Sequence, residues 1–171
     1  RAGAEQLAKA GRLGSRASLW NDLASVLLQG GDPDGADEAL VHAEADARRA
    51  GSTHTLAYVL ANGGLLAARR GDHEQAATRL EEAIVLSRDP RLRSLLSAVS
   101  LLPLAQLRRW RAFDRACQGA RGLQGTLGED DAPELVGRAV RLAREAGEEA
   151  RAEAAEEVRT RLLQRGATAT D

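Results

Sequence analysis

Ala36, Ala76 and Ala116 stand 40 residues apart, and each follows the same local order: an apolar helical stretch, a break, then a second helix. A fixed period across most of a 171-residue chain constrains the fold more tightly than any bulk property. A unit of this size holds a pair of helices and cannot bury its own apolar face, so neighbouring units must cover it. The chain is therefore expected to fold as stacked helix pairs and to work by presenting a surface.

Laying residues 17–51 over 57–91 and 97–131 aligns Trp20, Leu60 and Ser100, then Leu27, Ala67 and Leu107. Gly31, Gly71 and Arg111 fall at the break. After Ala36, Ala76 and Ala116 come Leu40, Leu80 and Ala120, then Ala43, Ala83 and Leu123. Each break has a local cause. Gly30-Gly31 ends one helix, Asp32 caps the next, and Pro33 suits its first turn. In the second unit Gly71 ends the helix and Asp72 caps, with Gln75 three residues on. In the third, Trp110 and Phe113 are expected to fill the corner that lacks a glycine. Asp89-Pro90 marks a further break, and Pro103 should kink the helix it falls in.

These signals predict helices over 3–10, 16–29, 33–49, 54–70, 73–88, 91–109, 112–122, 132–146 and 148–164. Gly125–Asp131 reads as a loop, with Asp131 capping the helix after it. Ala10-Gly11 matches Ala50-Gly51 at the same offset, and the chain starts with Arg1 and contains no Met. The expected organisation is the end of a truncated repeat over 1–11 and three helix pairs over 12–131. A degenerate fourth pair or cap over 132–165 and a disordered tail over 166–171 would complete a piece of a longer protein.

Composition settles the class. Hydrophobic residues make up 43% of the chain but aromatics only 2%, so the apolar surface is mostly Ala, Leu and Val. Ala and Leu are strong helix formers, and the near absence of β-branched runs weighs against a sheet. The fold expected is all-α. With 24 basic and 25 acidic residues the net charge is −1, so no global field favours nucleic acid. No apolar run approaches the roughly 18 residues of a membrane span, and no secretory leader is present. Cys117 is the lone cysteine, which excludes an internal disulfide. A cytoplasmic location follows as the expectation. Arg-rich, Ala-rich usage with Lys9 as the single lysine points to a bacterial source.

Reaction chemistry is not expected. His42, His54 and His73 are too scattered for a metal site, and Cys117 has no evident base beside it. Counted from Asp32, the places that a calcium loop fills with Gly and Glu hold Asp37 and Ala43. Gly63-Gly64 lacks the Lys-Ser or Lys-Thr of a phosphate loop. No cofactor or metal is expected, and the chain reads as a non-enzyme.

The string Trp20, Leu23, Ala24, Leu27, Gly31, Ala36, Leu40 and Ala43 resembles the tetratricopeptide repeat. The second copy reads Leu60, Gly63, Gly64, Ala67, Gly71, Ala76, Leu80 and Ala83. The family's unit is about 34 residues, so this chain would carry longer helices and links. Strings such as GDHEQAATRLEEAIVLSR look like the repeat regions of large bacterial regulators. The resemblance implies a right-handed α-solenoid of antiparallel helix pairs whose first helices line a concave groove. It places Asn21, Tyr58, Asn62, Leu65, Arg69, Leu101, Arg108 and Arg109 along that groove. The matching stripes run Ser18, Asn21, Ser25, Gln29, then Tyr58, Ala61 or Asn62, Leu65, Arg69, then Ala98, Leu101, Ala105, Arg109. Some relatives clamp a partner's C-terminal carboxylate here. Only Asn62 matches that clamp, since Ala98 and Leu102 stand where cations are needed.

The function implied is a protein–protein interaction scaffold, a binding or regulatory module that takes a peptide or helix with acidic residues nearby. The alternative is a ligand-sensing or self-association arm of an ATPase- or kinase-linked transcriptional or signalling regulator, with a homo-oligomer formed through exposed repeat ends.

Overall fold

The computed structural model describes the backbone of residues 2–123 and 131–164, with side chains from Lys9 onward. All of the loop expected over Gly125–Asp131 except Asp131, and the tail over 166–171, lie outside those residues. Among the described residues every regular element is helical: α1 (Ala2–Gln29), α2 (Pro33–Ala50), α3 (Thr53–Arg70), α4 (His73–Leu86), α5 (Pro90–Val99), α6 (Leu101–Gln106), α7 (Trp110–Gly119), α8 (Ala132–Glu145) and α9 (Glu149–Leu163). A 3₁₀ turn over Ala120–Gly122 follows α7.

The capping chemistry read from the sequence acts as expected in the first two units. Asp32 accepts from the Gly35 amide at 2.9 Å and Asp72 from the Gln75 amide at 3.1 Å. Gly71, at φ 82°, closes α3 in the left-handed conformation. Its amide donates to Ala68 O at 3.2 Å, and the Asp72 amide donates to Ala67 O at 2.9 Å. This double closure satisfies carbonyls that the end of a helix leaves open.

Two expectations change. The break between 10 and 16 is absent, and α1 runs unbroken for 28 residues. Gly11 and Gly14 lower helix propensity by roughly 1 kcal/mol each, but neither removes a hydrogen bond, no proline intervenes, and the Ser15 hydroxyl donates back to the Gly11 carbonyl at 3.1 Å within the helix. The single helix expected over 91–109 is divided at Ser100, three residues before Pro103. The proline ring has no amide to offer the Val99 carbonyl and crowds it.

The helices pack as neighbours along the chain. α1 lies on α2, α3 on α4, α5 and α6 on α7, and α8 on α9. Between pairs, α2 meets α3, α4 meets α5 and α6, α6 meets α8, and α7 meets α9. Ala24, Ala36, Ala39, Leu40 and Ala43 bury together with Val59 and Leu66, joining α1, α2 and α3. A larger cluster runs from Leu56 and Leu60 through Leu80, Leu101 and Phe113 to Val136 and Leu162.

The third unit sits three residues out of the 40-residue register. Its closing turn is at Arg108, not Arg111, with φ 52°. The Arg108 amide donates to Ala105 O at 3.0 Å and the Arg109 amide to Leu104 O at 2.9 Å, the same pair of bonds as at Gly71. The cause lies upstream. α4 is four residues shorter than α2, and the link after it is one residue longer. Phe113, Cys117 and Ala120 therefore take the buried places that Ala76, Leu80 and Ala83 hold in the second unit. Because three residues make nearly one helical turn, Ala116 stays on the same face and is also buried. Trp110 meets Phe113 edge-on, with ring centroids 5.7 Å apart, so the two aromatics do pack at this corner.

Candidate functional site

The first helices α1, α3 and α5 expose two clefts that meet at Asn62 and Leu65. One, of about 650 Å³, lies between the end of α1 and the second half of α3. Its walls include Ser25, Gln29, Leu66, Arg69 and Asp131. The other, of about 400 Å³, runs from Tyr58 and Ala61 across to Asp89, Leu92 and Leu95. Tyr58, Asn62, Leu65 and Arg69 recur at helical spacing, so α3 alone aligns the four along one continuous wall.

Each of these side chains has a defined neighbour. The Asn62 amide donates to Asn21 Oδ1 at 2.9 Å, tying α3 to α1 at the centre of the surface. Tyr58 is half-buried with the His54 ring edge-on at 5.1 Å. Leu65 is largely covered and forms the apolar floor. Arg69 grips Asp131 through two hydrogen bonds, at 2.7 and 2.8 Å, and so joins the end of α3 to the entry of α8. This guanidinium holds the Asp131 carboxyl below the usual carboxylate range, against an opposing effect of partial burial. Arg70 binds Asp34 and Asp37 of α2. The basic edge of the surface is thus already met by the chain's own carboxylates, so the arginines do not call for acidic residues on a ligand.

Three of the sequence-predicted residues fall elsewhere. Leu101 is fully buried and belongs to the core. Arg109 pairs with Glu74 at 2.7 Å and borders a different cleft, between α4 and α7. Arg108 is the exposed left-handed residue of the third closing turn. The reason is the three-residue slip. Once it is applied, Leu101 matches Gly64, a position where the partner helix comes close. A Cβ on Gly64 would stand 2.7 Å from Leu80 Cγ. The place of Tyr58 passes to Leu95, which does line the cleft. Asp89, Leu92, Leu95 and Asp131 are the wall residues that the 40-residue alignment hides. The Asp89-Pro90 break, which opens α5 at Pro90, is the sequence signal of the early start that the 40-residue alignment passes over.

The remaining titratable candidates stand apart. His42 stacks on Trp20, with centroids 4.8 Å apart. His73 opens α4, its pKa lowered by burial and then by the Arg138 charge. Cys117 is buried against α9, and burial pushes its thiol up to about 11. Among the described residues no three His, Cys, Asp or Glu side chains gather as a metal site, and no helix is long and apolar enough to cross a membrane. Comparison with protein-family models, curated proteins and solved structures gave no match. The likeness to tetratricopeptide repeats therefore rests on the motif residues of the sequence alone.

Proposed function

We propose that this chain is a non-catalytic binding module of tetratricopeptide-like design. In this reading it is a right-handed α-solenoid that seats a peptide or helix of a protein partner along the concave side of its first helices. The observation that carries the reading is the wall of Tyr58, Asn62, Leu65 and Arg69, which runs through two clefts that adjoin at Asn62 and Leu65. The partner chemistry it supports is an apolar side chain over Leu65, an aromatic contact at Tyr58, and amide hydrogen bonds at the Asn21–Asn62 pair. A regulatory role within a larger bacterial protein is the setting in which such a module would act.

The test is selection from a displayed random-peptide library on the full chain, followed by binding measurements on single variants. Tyr58→Ala and Asn62→Ala should each weaken selected peptides by about thirtyfold or more, the size of an interface hot spot. Val85→Asp, on exposed surface away from both clefts, should leave binding unchanged. Peptides that bind all three variants alike would show that the partner docks elsewhere.

A further inference from the structure

α1 carries a second apolar face that no described residue covers. Leu19 is 69% exposed, Leu23 41% and Val26 63%, one above another on the helix. The chain's own repeat states what belongs there. Gly31 and Gly71 close α1 and α3 identically, with φ 78° and 82°, so the 40-residue register holds between these helices. Leu19 then matches Val59, and Val26 matches Leu66. Val59 and Leu66 are 1% and 3% exposed, packed in one cluster with Ala36, Ala39, Leu40 and Ala43 of α2. Trp20 shows the same contrast, half-exposed where its counterpart Leu60 is buried.

We propose that the Leu19–Leu23–Val26 face is a docking surface for a partner's amphipathic helix of α2's chemistry, small apolar residues at helical spacing with Leu among them. The contact would repeat, one step earlier, the α2–α3 interface. Its flank differs in one respect. Gly30 stands where Arg70 binds Asp34 and Asp37, so the partner gains nothing from acids at those places. A second copy of the chain is a poor occupant. A two-fold dimer would set Leu19, Leu23 and Val26 against their own copies, not against the small residues of the Ala36, Ala39, Leu40 and Ala43 kind that cover Val59 and Leu66. The outer side of α9, the other end available for stacking, presents Glu149, Glu153 and Glu157. The proposal rests on the repeat register and not on the groove, so either can fail alone.

The test supplies such a helix. A synthetic peptide with the sequence of residues 32–51, stapled through the outward positions of Val41 and Ala45, contains no tryptophan. Added to the full chain in a Trp110→Phe background, it should change Trp20 fluorescence saturably. Leu19→Asp with Val26→Asp should weaken the peptide by about tenfold or more, because each would bury a charge in the contact. Both sites are exposed, so circular dichroism should show the fold unchanged. Ala39→Glu and Ala43→Glu in the peptide should abolish the signal. Binding that ignores the double variant, or no saturation up to about 1 mM, the weak end of specific affinity, would overturn the proposal. So would sedimentation showing a dimer that Leu19→Asp dissolves, since the occupant would then be a second copy.

Discussion

Gly63 and Gly64 are adjacent in sequence but answer to different neighbours. A Cβ on Gly64 would lie 2.7 Å from Leu80 Cγ and 3.3 Å from the Leu80 backbone nitrogen. That space cannot open without separating α3 from α4, so Gly64→Ala should cost about 1–3 kcal/mol by overpacking. The nearest atoms to a Cβ on Gly63 all belong to the far end of the Arg79 side chain, which can swing aside. Gly63→Ala should be neutral or gain up to roughly 1 kcal/mol of helix propensity. Urea midpoints that rank the two variants the other way would deny the close approach. Arg108 poses the reverse case, a side chain held at φ 52°. Arg108→Gly removes a left-handed penalty of roughly 1–2 kcal/mol at some cost in chain entropy, so a net gain of about 0.5–1 kcal/mol is expected. Asp46 adds a pH dependence. It is buried on α2 and accepts both hydrogen bonds of the Arg16 fork, at 2.5 and 2.7 Å, which hold its pKa low despite burial. Its contribution is whole above the unfolded carboxyl value near 3.9 and fades as the pH falls through that value toward the folded pKa. Asp46→Asn should lower stability at neutral pH and flatten the acid limb of a stability–pH curve; an unaltered limb would rule the pair out as its source.

At the scale of the element, α2, α3, α8 and α9 were legible within a residue or two: Gly51, Gly71 and Gly147 follow α2, α3 and α8, and Asp32 and Ser52 cap α2 and α3. The continuity of α1 was not legible, because Gly11 and Gly14 look like punctuation but remove no hydrogen bond. The third unit misled for a subtler reason. A slip of three residues is close to one helical turn, so Ala116 still fell on the buried face and the alignment looked right along α7. On the first helix of the same unit the slip exchanged a core place for a groove place, and Leu101 with Arg109 was assigned to the wrong surface. On α3, helical spacing alone brings Tyr58, Asn62, Leu65 and Arg69 to the walls of the two clefts. The part on α5 was hidden by the shortened α4. The corrected register makes its own prediction: Cys117 occupies the core place of Leu80. With its thiol raised to about 11 by burial, Cys117 should resist iodoacetamide at pH 8 in the folded chain and react fully in denaturant. Rapid labelling of the folded chain would mean that α7 turns this face outward.

For the whole molecule the telling feature is how contacts are distributed. Helices touch those nearest along the chain, which in a proposed stack makes stability a sum of local terms and neighbour interfaces. The Arg69–Asp131 fork skips a unit, reaching from α3 to the entry of α8 over 62 positions. It borders the larger cleft, so the same pair that shapes the candidate groove also ties the two halves together. Leu162 on α9 is 2% exposed, and Leu162→Ala should cost about 2–5 kcal/mol where it acts. In a stack that loss stays mostly at the end of the chain, so amide exchange should accelerate through α8 and α9 while α1 to α4 keep their protection. Adding Asp131→Asn should sharpen the contrast, because the tie between the halves is then weakened. Equal acceleration in all helices of the single variant would mean one cooperative core, and the proposed solenoid would have to be abandoned.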